Sequence, residues 1–404
     1  MKRLSVIMIL FVCLTTWSNA QDATRWRGLN STGVYSVDKL LAQWPADGPQ
    51  VLWSYNQLGL GYSSPVFAND KIYVNGMVDG QGILFVLDQN GKEIQQFNYG
   101  KEFDTSFPGA RSTPTIVGDL AYLLTGNGLL TCLDLKSGKP VWVKDFLTQM
   151  DGVNITWGYT ESLVIHGDTL YCTPGGKTNN VMALNRMTGA TIWNCSGLGE
   201  LSAYCTPSLV KLPTRQLLVT HTASHVLGID AVTGKLLWNS EHPNQYAIHP
   251  NTPIYSDGKL FVFSGYGQGS EMLKLSADGS SITKEKEIKS FDCKIGGAVL
   301  IDGFLYGSGD TDRSWQCIDW KTGERKYATT EVGKGVVIAA NHNLICYSEK
   351  GELVMAEANP AGFKVISKTK VALGSGENWA HPVINKGILY VRHGNTLIAY
   401  KISE

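Results

Sequence analysis

Ile229-Asp230-Ala231-Val232-Thr233-Gly234-Lys235-Leu236-Leu237-Trp238 is the stretch that decides the fold. A β-run ends in Asp, a Thr-Gly-Lys turn follows, and a second β-run carries Trp. The glycine supplies the positive φ that a tight hairpin needs. Related copies are Leu133-Asp134 with Ser137-Gly138-Lys139 and Trp142, Thr188-Gly189 with Trp193, Asn90-Gly91-Lys92, and Ile318-Asp319 with Thr322-Gly323-Glu324. Upstream of each lies a short strand with a small-residue lead-in, often Ser/Thr-Pro, as in Ser63-Ser64-Pro65-Val66 and Ser112-Thr113-Pro114-Thr115. A polar turn comes next (Ala68-Asn69-Asp70, Val117-Gly118-Asp119, His166-Gly167-Asp168, Ser256-Asp257-Gly258), then a run such as Lys71-Ile72-Tyr73-Val74. β-Branched and aromatic enrichment marks these runs as strands. Equivalent positions fall at Ser64, Thr113, Ser162, Thr206, Thr252, Gly297, Val336 and His381, in steps of 49, 49, 44, 46, 45, 39 and 45 residues. A period in the forties with several short β-runs is the signature of a β-propeller.

Eight copies predict an all-β, eight-bladed β-propeller of four-stranded antiparallel blades. The last copy, with Leu389-Tyr390-Val391 and Leu397-Ile398-Ala399-Tyr400, lacks a fourth strand. Val51-Leu52-Trp53-Ser54-Tyr55 reads as that missing strand and is expected to close the ring, which removes open sheet edges. The recurring Trp142, Trp193 and Trp238 are expected to pack between blades. No amphipathic helix is evident inside the repeats.

The N-terminus reads as a cleaved leader: Lys2-Arg3, an apolar run from Leu4 to Leu14, then Ser18-Asn19-Ala20. The apolar run is too short to span a membrane. Leu10-Phe11-Val12 before Cys13 lacks the small residue of a lipoprotein signal. The expectation is a leader over 1–20, a single propeller domain over 21–404, and a periplasmic or secreted monomer. Charge is balanced, with 35 basic and 35 acidic side chains, and no basic stripe points to nucleic acid. Without Cys13, seven cysteines remain, an odd number, so at least one is unpaired within the chain. Cys132 and Cys317 occupy one repeat position and read as buried apolar residues. Cys195 and Cys205 could pair after export, but spacing alone does not establish it. No CxxC or His-rich spacing supports zinc or c-type haem.

The Leu/Ile-Asp-x-x-Thr-Gly-Lys-x-x-Trp pattern resembles the docking motif of pyrroloquinoline-quinone-type propellers, and the resemblance covers nearly the whole chain beyond the leader. That superfamily includes quinoprotein alcohol dehydrogenases, non-enzymatic envelope propellers and a group of exported "PQQ-binding-like" proteins. The resemblance therefore implies a fold more firmly than a function.

Residues just before each inner strand should ring one mouth of the channel. Blade by blade they are Tyr62, Arg111, Trp157 and Tyr159 with Glu161, Tyr204, His249 with Asn251, Lys294, Lys334, and Trp379 with His381. Aromatic faces beside charged hydrogen-bonding groups suit a glycan-like or planar small molecule. The expected function is thus a non-catalytic binding or protein-interaction module. Two alternatives stay open. In the dehydrogenase branch, the resemblance implies that Arg111 contacts the quinone, Glu161 and Asn251 ligate calcium, and Asp292 acts as base. This would be a PQQ- and calcium-dependent enzyme oxidising an alcohol or sugar. The chain lacks the vicinal cysteine pair of those enzymes. The other alternative is a scaffold that binds a protein partner in an envelope assembly.

Overall fold

The computed structural model describes residues 24–404; the leader expected over 1–20 lies outside them. Eight antiparallel blades of four strands follow one another along the chain, and the short strand Val34–Tyr35 adds in parallel to the sheet of blade 7 as a fifth. Blades 1 to 7 span 66–101, 115–145, 164–195, 208–241, 254–288, 298–329 and 335–370. Blade 8 combines Val383–Asn385, Ile388–His393 and Thr396–Lys401 with Val51–Tyr55 as its outermost strand. The pairing of Ser54 with Ile398 and Tyr55 with Leu397 closes the ring as the sequence predicts. One element departs from the all-strand expectation: a single helical turn, Phe146–Gln149, capped by the Asp145 carboxylate, which accepts from the amides of Leu147 (2.8 Å) and Thr148 (3.1 Å).

The repeating Trp is an inter-blade dock. The indole Nε1 of Trp142 donates to the Arg186 carbonyl (2.9 Å), that of Trp193 to Ala231 (3.0 Å) and that of Trp238 to Gly279 (3.2 Å). Trp53 does the same for the closing strand, donating to Gln89 (2.9 Å). Each indole lies against the turn of the following blade. Gly234 shows why that turn needs glycine: its φ is +75°, and an added Cβ would sit 2.7 Å from the Trp193 ring.

The Ser/Thr positions that set the repeat form a relay around the channel. Thr113 Oγ1 accepts from the Ser64 amide (3.0 Å), Ser162 Oγ from the Thr113 amide (3.1 Å), and Thr206 Oγ1 from the Ser162 amide (2.8 Å). These bonds satisfy inner-strand amides that have no ladder partner. All seven cysteines among the described residues are free and buried, Cys132 and Cys317 included.

The N-terminal segment runs along the channel wall. The Thr24 carbonyl accepts from the Ile116 amide of blade 2 (3.0 Å). Val34 and Tyr35 pair in parallel with Ala339 and Ala340 on the inner strand of blade 7. Between them Arg27 is buried and donates to the carbonyls of Thr32 (2.9 Å), Ala298 (2.6 Å) and Val337 (3.3 Å), with His381 Nδ1 3.0 Å away. Trp26 meets the His381 ring edge-on at 5.3 Å. No helix among the described residues is long and apolar enough to cross a membrane.

Candidate functional site

At one mouth of the channel the loops before the inner strands enclose a cup of about 430 Å³. Trp26 reaches its base, together with Thr113, Ser162, Thr206 and His381. One wall comes from blades 8, 1 and 2: Trp379 lies 5.1 Å from Tyr62 and 5.1 Å from Phe107. The facing wall comes from blades 3 to 5: Trp157 lies 6.3 Å from Tyr204, and Tyr266 stands 4.8 Å from Tyr246. The Lys294 ammonium sits 5.0 Å above the Tyr266 ring. Glu349 and Glu377 complete the polar part of the rim.

Arg111 faces the cup but its guanidinium is already engaged. It donates to the carbonyls of Gly109 (3.3 Å), Ser106 (3.2 Å), Phe107 and Trp157. It also lies over the rings of Phe103 (4.9 Å) and Tyr62 (5.9 Å). Arg111 therefore ties the blade 2 and blade 3 loops together while lining the cup.

Of the residues anticipated at this mouth, Tyr62, Arg111, Trp157, Tyr204, Lys294, Trp379 and His381 line the cup. The others lie behind it. Tyr159 is buried and donates to the carbonyls of Val153 (3.0 Å) and Pro174 (2.7 Å). Lys334 pairs with Asp310 and with Glu349 (3.5 Å). His249 joins a buried group with His221 and His242, ring centres 5.2 to 5.7 Å apart. Burial keeps His249 neutral, its pKa lowered to about 3, and holds His221 well below its ordinary value.

Glu161, Asn251 and Asp292 do not fit the calcium and base set that the dehydrogenase resemblance implies. Asn251 spends both ends of its amide on backbone: Oδ1 accepts from Gly297 (3.1 Å) and Nδ2 donates to Cys293 (2.7 Å). Asp292 accepts from the amides of Asp310 (2.9 Å), Thr311 (3.0 Å) and Gly267 (3.3 Å) and from the Thr311 hydroxyl. Its oxygens are spent on holding that loop. Glu161 accepts one bond, from the Thr173 amide (2.8 Å), and its second oxygen is buried without a partner. Burial pushes its pKa up to about 7, so the fold favours the neutral acid. Among the described residues no three His, Cys, Asp or Glu side chains group to hold a metal ion.

Sequence reasoning missed Trp26, Phe107, Tyr266, Glu349 and Glu377. Tyr266 lies in Gly265-Tyr266-Gly267, a hairpin whose sequence signals only a turn. Phe107 precedes Arg111 by four residues in a long loop, outside the slot counted from the inner strands. Trp26 belongs to no repeat, so periodicity carries no signal for it.

A family model described as outer membrane protein assembly factor BamB matches residues 80–329. A curated protein of that name from Salmonella typhimurium is 30% identical over 207 residues, covering 50% of this chain and 47% of its own length. Its Escherichia coli counterpart is 26% identical over 207 residues, with the same coverage of 50% and 47%. The chain thus spans about half the length of the curated relatives it matches. Among solved structures, BamB from Moraxella catarrhalis superposes with a TM-score of 0.63 at 15% identity, covering 87% of this chain and 99% of that one. A europium-containing methanol dehydrogenase gives a TM-score of 0.68 at 12% identity, covering 93% and 91%. At these identities the structural likeness is one of fold.

Proposed function

Because this chain belongs to the PQQ-like β-propeller family whose model is described as outer membrane protein assembly factor BamB, we propose that it is an exported, non-catalytic binding propeller whose aromatic cup holds a glycan-like ligand. One observation carries the reading: aromatic side chains from the loops of six blades converge with Trp26 on a single cup. Aromatic faces stack on the apolar faces of sugar rings, and the rim charges of Lys294, Glu349 and Glu377 meet hydroxyls. The likeness to quinoprotein dehydrogenases does not extend to a usable donor set, since Asn251 and Asp292 are committed to backbone.

The reading is tested by titrating the purified protein with envelope-derived saccharides while following tryptophan fluorescence. Trp26, Trp157 and Trp379 line the cup and report on its occupation. Trp379→Ala is expected to weaken binding by roughly tenfold or more, the loss of about 1.4 kcal/mol of stacking. No saccharide response in a folded sample refutes the glycan reading. Calcium-dependent binding of pyrroloquinoline quinone, followed by calorimetry, would restore the dehydrogenase alternative.

A second reading is favoured by the rim of the disc. Outer strands of blades 8, 1, 2 and 3 expose Val51, Leu52, Ile94, Val141, Val143 and Ile192. The exposed side chains on the outer strands of blades 5 to 7 are mostly charged, as in Ile282–Ile288 and Lys364–Lys370. An apolar arc of this kind suits a protein partner in an envelope assembly.

A further inference from the structure

The channel contains a second compartment beyond Trp26, with a volume of about 730 Å³. Residues 25–34 form one wall and the inner strands of blades 3 to 6 form the other. It reaches the mouth opposite the cup, where His166, Lys211 and Ser256 end their inner strands. Its charge is one-sided. Arg25, Arg27 and Lys211 line it, and no Asp or Glu among the described residues does, in a chain whose charges otherwise balance.

The two arginines differ in one respect. Arg27 is fully engaged by backbone carbonyls and His381. The Arg25 side chain makes no hydrogen bond or ion pair with any described residue, and its Nε is buried without a partner. Loss of water around the guanidinium lowers its pKa, with no opposing charge to restore it. Arg25 is partly buried, and a cation stripped of part of its water is ordinarily paired, because desolvation without a partner is costly. Lys211, exposed at the far mouth, also lacks an ion-pair partner among the described residues.

We propose that this compartment is an anion-binding site for a small carboxylate- or phosphate-bearing molecule that enters by the mouth opposite the cup. Arg25 makes the principal contact, because its planar fork matches two oxygens of either group. Lys211 draws the anion in at the rim, and the Ser208 hydroxyl faces the same space. The site is independent of the cup, and Trp26 lines both.

The test uses the whole protein without its leader, with inorganic phosphate and citrate as separate probes, followed by calorimetry and by thermal unfolding at low salt. At least one probe is expected to bind saturably, to bind more weakly as salt rises, and to raise the unfolding temperature. Arg25→Gln should weaken binding by roughly tenfold or more. Because Arg25 holds no other group, the variant should keep the unliganded unfolding temperature, and only the anion-induced rise should vanish. Lys211→Gln should have a smaller effect, and Trp379→Ala in the cup none. The stronger of the two probes tells phosphate from carboxylate. Failure of both probes to bind the folded protein at millimolar concentration overturns the proposal, and so does an Arg25→Gln protein that binds as tightly as the parent.

Discussion

Replacing Glu161 with Gln should make the protein more stable at neutral and alkaline pH, an outcome opposite to that expected of a calcium ligand. Glu161 is buried at 1% exposure, accepts one hydrogen bond from Thr173, and leaves its second oxygen without a partner. Its pKa rises from 4.5 in the unfolded chain to about 7 in the fold. A raised pKa means that the folded state prefers the protonated form. The stabilisation that this preference gives is complete below pH 4.5, falls as pH rises, and is gone above about 7. At about 1.4 kcal/mol per pH unit, the span between the two values amounts to roughly 3 kcal/mol. Glu161→Gln keeps the acceptor for Thr173 and removes the ionisation. Urea unfolding of parent and variant across pH 4 to 8 measures the difference directly, and other titrating groups cancel in it. The variant's advantage should grow from near its acid baseline to about 3 kcal/mol at pH 8. A difference that stays flat with pH refutes the reasoning, because Glu161 would then titrate alike in both states. A parent protein that gains stability over Glu161→Gln in millimolar calcium would show the carboxylate ionised on a cation.

Trp193→Ala should cost about 3 to 5 kcal/mol, since the indole is 8% exposed, donates to Ala231 and fills the gap over Gly234; urea unfolding checks it, and a loss below about 1 kcal/mol would deny the dock its role. Acid should destabilise the fold through its buried histidines. His221, His249 and His381 all have lowered pKa values, about 3 for the last two, so their stabilisation is present above pH 6.5 and is lost as pH falls towards 3. Three such groups give a slope approaching about 4 kcal/mol per pH unit once all are protonated in the unfolded chain. A urea midpoint at pH 5 equal to that at pH 7 would show that these imidazoles are accessible to protons in the fold.

What the sequence made legible was local. Hairpin chemistry around Gly234, the spacing of Ser64, Thr113 and Ser162, and the orphan strand Val51–Tyr55 all act within one blade or between adjacent ones. They therefore repeat, and repetition can be counted. The slot before each inner strand named the right loops but could not resolve which side chains face the cup. Trp157 and Tyr159 show why. Gly158, with φ +72°, turns the chain between them, so one ring lines the cup and the other enters the core of blades 2 and 3. Asn251 and Asp292 carry oxygen ligands by type, but in the fold backbone amides and carbonyls, remote in sequence, already occupy them. The residue type states what a side chain can bind; its neighbours decide whether it is free to do so.

The N-terminal segment was the least legible part, because nothing in 24–37 repeats and its partners are remote in sequence. Arg27 bonds to carbonyls 271 and 310 positions away. Those contacts change what the ring can do. An open propeller channel is one continuous space. Trp26 and Arg27 lie across this one and make two compartments, one aromatic and the other lined by cations without carboxylates. The same stretch of chain then continues to Val51–Tyr55, which closes blade 8. Filling the channel and sealing the ring are therefore linked through one segment: the closing strand holds the chain that carries Trp26, and Arg27 in turn bonds to blades 6, 7 and 8 from the inside. A ring built this way has its two binding surfaces on opposite faces of a shared partition. Trp26 borders both compartments, so the partition and not the ring of blades is what the two spaces share.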